Sequence, residues 1–148
     1  LDEVAQQAIR SLRTMADARR VVVEFNTSTP HTTVLGDSNQ LQEAAQHLLH
    51  NAIKFNKIGG VVQVECGLAG SELFLRVVDT GVGIPPERLE EIWSGLTKLK
   101  ANGNGRSAGM GLALSRFIVL AHGGRVDAQS KYGAGSVFTI YLPLHFED

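Results

Sequence analysis

The chain has 148 residues, 43% hydrophobic and 20% charged, a balance that suits one compact domain with its own core and excludes a disordered segment. Its 14 Lys plus Arg against 15 Asp plus Glu leave a net charge of −1, so there is neither a basic field for nucleic acid nor an acidic tail, and an anionic ligand must be held by local groups. The one cysteine, Cys66, cannot close an internal disulfide; it fits a reducing compartment and, lying in an apolar run, reads as a core thiol.

No apolar stretch approaches membrane-spanning length and no signal peptide is visible, so the expected setting is cytoplasmic, without direct membrane contact. Asn26-Thr27-Ser28 matches a glycosylation acceptor, but nothing else points to secretion. The first residue falls inside a helical pattern, and the chain reads as a piece of something longer.

Residues 3–19 carry Val4, Ala8, Leu12 and Met15 near helical spacing and predict one helix. Residues 21–25 form a β-branched strand, and 26–30 are turn chemistry. A second helix opens near Asp37 or Ser38, both good N-cap types. Its apolar positions Leu41, Ala45, Leu48, Leu49, Ala52, Ile53 and Phe55 run toward a stop at Gly59-Gly60. Residues 61–68 and 73–79 are strands joined by a short link into a hairpin. Residues 80–85 are a glycine-rich turn, 86–93 a short helix, and 94–108 a polar loop of Gly, Asn, Lys and Ser. A helix over 110–122 stops at Gly123-Gly124, and strands over 125–130 and 136–142 close the chain. This order, with antiparallel hairpins, predicts an α+β two-layer sandwich and not a doubly wound parallel sheet.

Three segments suit parts of a nucleotide. On the second helix, Asn51 offers an amide oxygen to a hard cation and Lys54, one turn on, an ammonium to phosphate. The same pattern also describes two solvated helix-surface residues. At the end of a strand, Asp79 could accept from an exocyclic amine, and Gly81 and Gly83 let backbone approach a flat ligand; an ordinary glycine turn would look similar. Third, the glycines of 103–111 run into a helix whose free N–H groups favour anions, though a flexible linker is also glycine-rich. A dinucleotide fold would need a strand before these glycines, and Glu90-Glu91-Ile92-Trp93 reads as helix or loop; no Walker pattern is present.

Taken in order, these pieces resemble the catalytic, ATP-binding domains of sensor histidine kinases, within the wider ATPase group that includes gyrase B, Hsp90, MutL and the anti-sigma serine kinases. Residues 37–55 look like the asparagine box, Asp79-Thr80-Gly81-Val82-Gly83-Ile84-Pro85 like the first glycine box, and Gly109-Met110-Gly111-Leu112-Ala113-Leu114 like the second. His122-Gly123-Gly124 and Gly133-Ala134-Gly135-Ser136-Val137-Phe138-Thr139 resemble the closing segments. The resemblance covers nearly all of residues 1–148, with 1–19 either the domain's own helix or a connection to phospho-accepting helices outside this chain. It implies a Bergerat-type α/β sandwich, a mixed sheet of about five strands on three main helices.

The resemblance also implies roles. Asn51 would coordinate Mg²⁺ between the ATP phosphates, with Lys54 nearby and Phe55 beside the purine. Asp79 would accept from adenine N6, with Gly81, Gly83 and Ile84 close by. Gly109, Gly111 and the N–H groups from Leu112 onward would cradle phosphate. Thr139 would support Asp79 through water, and 94–108 would be the lid, with Lys98, Lys100 or Arg106 reaching ATP. The phosphoryl acceptor would be a histidine on a separate helical dimerisation domain of the same protein, followed by a response regulator. The fragment is expected to be a monomer and its parent a homodimer. None of His31, His47, His50, His122 or His145 sits in a phospho-acceptor motif, and His122 reads as a helix cap.

Two places depart from the pattern. Where the family usually has an Asn one turn before Asn51, this chain has His47, which could act in catalysis, orient metal-bound water or be structural. ATP-hydrolysing relatives keep a Glu there to activate water, so its absence argues against a hydrolase. A degenerate nucleotide-binding scaffold and an anti-sigma-type serine kinase are the alternatives. In the segment before the lid, Trp93 and Leu96 stand where a phenylalanine-containing box is usual.

Overall fold

A computed structural model of the chain describes residues 1–28, 34–88 and 108–144. In order they form α1 (Asp2–Ser11), α2 (Arg13–Ala18), β1 (Val22–Thr27), α3 (Ser38–Lys54), β2 (Val61–Ala69), β3 (Glu72–Asp79), a single 3₁₀ turn (Pro86–Arg88), α4 (Ala108–Ala121), β4 (Arg125–Lys131) and β5 (Gly135–Pro143). The strands make one sheet in the order β1-β2-β3-β5-β4. Only β1 and β2 run parallel; the other neighbours are antiparallel. The α+β sandwich, the mixed five-stranded sheet and the three main helices are therefore as expected.

Alternation along the strands decides which face is covered. Val62, Val64 and Cys66 of β2 lie level with Leu75 and Val77 of β3 and with Phe138 and Ile140 of β5, and all are buried. On them sit Ala5, Ala8 and Ile9 of α1, Leu41, Leu48, Leu49 and Ile53 of α3, and Leu112 and Val119 of α4. Leu48 and Ile53 are wholly inaccessible, and truncating such a side chain to Ala costs about 2–5 kcal/mol. The other face is polar and solvated. There Arg76 lies over Phe74 at 4.5 Å and Arg125 over Tyr141 at 3.8 Å, paired with Glu65 and Glu72. No helix among the described residues is long and apolar enough to cross a membrane.

Several local expectations change. The single helix over 3–19 breaks at Leu12 (φ −108°, ψ 8°). Ser11 Oγ donates to Ala8 O at 2.9 Å and accepts from Gln46 of α3 at 3.0 Å, so the hydroxyl takes over a helical carbonyl where the chain turns. Ala5, Ala8 and Ile9 nonetheless put α1 in the domain core. The first strand continues through Asn26 and Thr27, which pair with Glu65 and Cys66, and Thr27 Oγ1 donates to the Asp2 carboxylate at 2.8–2.9 Å. Of the helix expected over 86–93 only the turn Pro86–Arg88 is described. The last helix opens at Ala108, two residues before its expected start at 110.

Candidate functional site

α3 is fixed at both ends. The Asp37 side chain accepts from Asn39 N–H at 2.9 Å and Gln40 N–H at 3.2 Å, the N-cap its residue type suggested. At the other end the Arg19 guanidinium donates to Ile53 O at 3.1 Å and Asn56 O at 2.7 Å, placing a cation on carbonyls that the helix leaves open. Sequence reading missed Arg19, because nothing local links it to a helix 34 residues away.

α4 lies antiparallel to α3 and is tied to it along its length. At the far end His122 Nδ1 donates to Ile118 O at 2.8 Å, so Nε2 is the acceptor that takes Asp37 N–H at 3.1 Å. The expected cap is thus also a clasp between helices, and Gly36 lies against the imidazole with no room for a Cβ. Midway, the buried Ser115 hydroxyl donates to Ala44 O at 2.9 Å. At the near end a Cβ on Gly111 would stand 3.0 Å from His47 Nδ1. The second glycine box therefore opens its helix against the face of α3 that holds His47 and, one turn on, Asn51. Asn51 is 8% exposed, and His50 beside it hydrogen-bonds its side chain. The His50 pKa is lowered, first by burial and then by Lys54 and His47.

Asp79 ends β3, the middle strand, on the helix-covered face. Burial raises its carboxyl pKa, against backbone donation from Gly81 and Ser136. Gly81 N–H donates to Asp79 Oδ1 at 2.8 Å. A carboxylate has about four acceptor positions, so two backbone donors leave capacity for an amine.

The glycine segment after Asp79 is clamped from two sides. Val82 N–H donates to Phe55 O at 3.3 Å, and a Cβ at Gly81 would stand 2.5 Å from that oxygen and 2.9 Å from Asp79 Oδ1. Asn56, 4% exposed, donates to Val61 O at 3.1 Å and accepts from Thr80 Oγ1 at 3.1 Å. On the other side Gly133 N–H donates to Val82 O at 2.7 Å and Ile84 N–H to Ser130 Oγ at 2.7 Å. Gly83 has φ +74° and packs on the Lys131 carbonyl, so both its backbone angle and its space demand glycine. Asn56, Thr80, Ser130 and Ser136 position this segment and were missed, since their partners lie in other elements.

Phe55 caps α3, 44% exposed, with Lys54 Nζ 5.4 Å from its ring centroid. Ile84 is half-buried against the core. Leu112 is a core side chain, so only its backbone faces outward. Thr139 is a correction. It pairs with Arg76 on the polar face and accepts from Arg76 Nε at 3.3 Å, whereas the residue opposite Asp79 is Ser136. Strand alternation puts Thr139 on the side of the sheet away from the Asp79 carboxylate. Gly109 lies in the first turn of α4. Lys98, Lys100, Arg106, Trp93, Leu96, His31 and His145 lie outside the described residues.

The donor set fits a nucleotide–metal complex. Asn51 is an amide on the face of α3 that meets the glycines of α4, and His47 Nε2 is buried with no hydrogen-bond partner among the described residues. Among the described residues there is no group of three or more His, Cys, Asp or Glu that could hold a metal ion.

The chain is similar to known proteins in sequence and in fold. The family model described as histidine kinase-, DNA gyrase B-, and HSP90-like ATPase matches residues 36–145. Sporulation kinase C of Bacillus subtilis is 32% identical over 145 residues, 97% of this chain and 33% of that protein. The sensor-like histidine kinase SenX3 of Mycobacterium tuberculosis is 32% identical over 151 residues, 99% of this chain and 36% of that protein. The chain thus spans about a third of the curated relatives it matches. The catalytic domain of histidine kinase ThkA superposes with TM-score 0.82 at 23% identity, covering 97% of this chain and 91% of that one, a likeness of fold.

Proposed function

Because this chain belongs to the family of histidine kinase-, DNA gyrase B- and HSP90-like ATPases, we propose that it binds Mg-ATP and donates the γ-phosphoryl group to a histidine on a separate helical domain of a sensor kinase. One observation carries the reading: the glycine segment behind Asp79 is clamped onto the end of α3, while α4 begins against the face of α3 that holds His47 and Asn51.

Asp79 reads the exocyclic amine of adenine, and Phe55 packs beside the ring. The N–H groups from Gly109 through Leu112 hold phosphate oxygens at a helix start, where the backbone field favours anions. Asn51 holds Mg²⁺, which when bound neutralises charge on the phosphates. Lys54 adds an ammonium near them. Phosphoryl transfer asks for positioning and charge neutralisation more than for covalent help from the protein, and these residues supply both. The nucleophile lies outside this chain, on the histidine-bearing helices of the parent, and the phosphoryl group passes on to a response regulator.

Calorimetry with Mg-ATP tests the binding step: saturable binding is expected, and none at millimolar ATP would overturn the proposal. The transfer step is tested by joining the chain with its native histidine-bearing helices and labelled ATP. Acid-labile label on those helices is the expected outcome. Tight binding with no label would leave a nucleotide-binding scaffold, and acid-stable label a serine kinase.

A further inference from the structure

The geometry points to a peripheral docking face for an anionic phospholipid surface, built on two turns that flank the first glycine segment. Each turn has the same make-up: a lysine, a large apolar residue, then glycine. In the turn 57–60, Gly60 N–H donates to Lys57 O at 3.0 Å and Gly59 has φ +82°. In the turn 131–134, Ala134 N–H donates to Lys131 O at 2.9 Å and Gly133 has φ +88°. A positive φ at the third position asks for glycine, but nothing in such a turn asks for a large apolar side chain at the second, where proline is favoured. Ile58 and Tyr132 stand there, 72% and 68% exposed. Apart from chain neighbours, no atom lies within 4 Å of a Cβ placed on Gly59 or Gly133, so both turns stand clear of the body of the domain.

The two turns belong to one surface. Val82 lies between them, 57% exposed; its N–H donates to Phe55 O at 3.3 Å and its carbonyl accepts from Gly133 N–H at 2.7 Å. Lys57 and Lys131 are exposed, and neither makes an ion pair among the described residues, unlike Arg76 and Arg125 on the open face of the sheet. The chain as a whole carries a charge of −1, so this cationic, apolar face is a local feature. Its few side chains fall short of the roughly 20–30 residues a side that a stable protein interface uses. A bilayer needs less. An apolar side chain enters the boundary of headgroups and acyl chains while the lysine beside it stays with the headgroups, and each lysine strengthens attachment to anionic lipid about fivefold. No described helix is long and apolar enough to cross the membrane, so the contact is peripheral; it replaces the expectation of no direct membrane contact. The proposal does not depend on the nucleotide reading.

Cosedimentation with vesicles of phosphatidylglycerol and phosphatidylcholine in equal parts tests the face. The wild-type chain should bind them, should ignore vesicles of phosphatidylcholine alone, and should be released by salt. Lys57→Gln with Lys131→Gln should weaken binding about 25-fold, from two lysines. Ile58→Ser with Tyr132→Ser should weaken it about tenfold or more, with folding checked by circular dichroism. On the ¹⁵N-labelled wild-type chain, nanodiscs of the same lipids carrying a gadolinium-bearing lipid should broaden the amides of Ile58, Val82 and Tyr132 first, which decides the matter even if a variant does not fold. No binding to the anionic vesicles, equal binding to phosphatidylcholine, or broadening centred elsewhere, such as on Phe117 and Leu120 of α4, would overturn the proposal. Self-association that Ile58→Ser with Tyr132→Ser abolishes, without vesicle binding, would also overturn it and give the face to a second copy of the chain.

Discussion

At the scale of single residues, Asp79 combines a structural cost with the binding role proposed for it. Burial raises its pKa, so the folded chain holds the proton more tightly than the unfolded chain. Its contribution is most favourable below the ordinary carboxylate value of about 3.9, and is lost as pH rises through the raised value. Asp79→Asn keeps an oxygen for Gly81 N–H and removes the penalised charge. The variant should therefore melt at a higher temperature than the wild type at neutral pH, and the gap should close on acidification below about pH 4. A gap that ignores pH would contradict this account. The same variant should bind ATP roughly 10- to 100-fold more weakly by calorimetry, the scale of one charged hydrogen bond. Thr139 supplies the contrast. Its hydroxyl faces Arg76 on the opposite side of the sheet, so Thr139→Val should leave ATP affinity within about twofold, well inside the loss of any direct hydrogen bond.

At the scale of elements, what matters is the registration of α3 against α4. Ser115 fixes the middle and the His122 clasp one end, so the other ends of the two helices, where phosphate binding is proposed, keep their alignment. His122→Ala leaves Asp37 N–H without its imidazole acceptor, while Ile118 O keeps the backbone N–H of residue 122. Because water reaches Asp37, the cost should be modest, about 1 kcal/mol in urea denaturation. Imidazole ¹⁵N shifts of the wild type should show a neutral ring protonated at Nδ1; the opposite tautomer would rule the clasp out. The motifs on these helices were legible in the sequence because each is a local device. An Asp at an N-cap, an Asn with a Lys one turn on, and glycines before a helix carry their chemistry at fixed offsets. The clasp, Arg19 and Ser130 were not legible, since each acts on a partner brought near only by folding. Thr139 failed for a related reason. Which residue of β5 faces Asp79 depends on strand register, which no run of neighbouring residues determines.

At the scale of the whole molecule, one apolar layer between the helices and the sheet holds the site together. Cys66 lies in that layer, and burial, helped by the Asp2 carboxylate, pushes its thiol up to about 12. At pH 8 it should react with a disulfide reagent only when the molecule opens. Saturating Mg-ATP should slow that reaction further, by about 100-fold when ATP is present at 100 times its Kd. Labelling as fast as that of a free cysteine would show that the layer is not closed. The architecture itself was readable in the alternation of helix and hairpin patterns, because burial on one face imposes those periods directly. The break at Leu12 was not, since it depends on a hydroxyl shared with Gln46 of another helix.

The sheet order has a regulatory consequence. The carboxylate proposed to read adenine is rooted in a strand paired along its whole length on both sides, so it is as immobile as anything in the domain. A signal arriving from elsewhere in a parent kinase could not retune the reading of the base without melting the β-layer. Control would have to come from the periphery, by admitting the nucleotide or aligning its phosphate tail, while the purine seat stays the same in every signalling state.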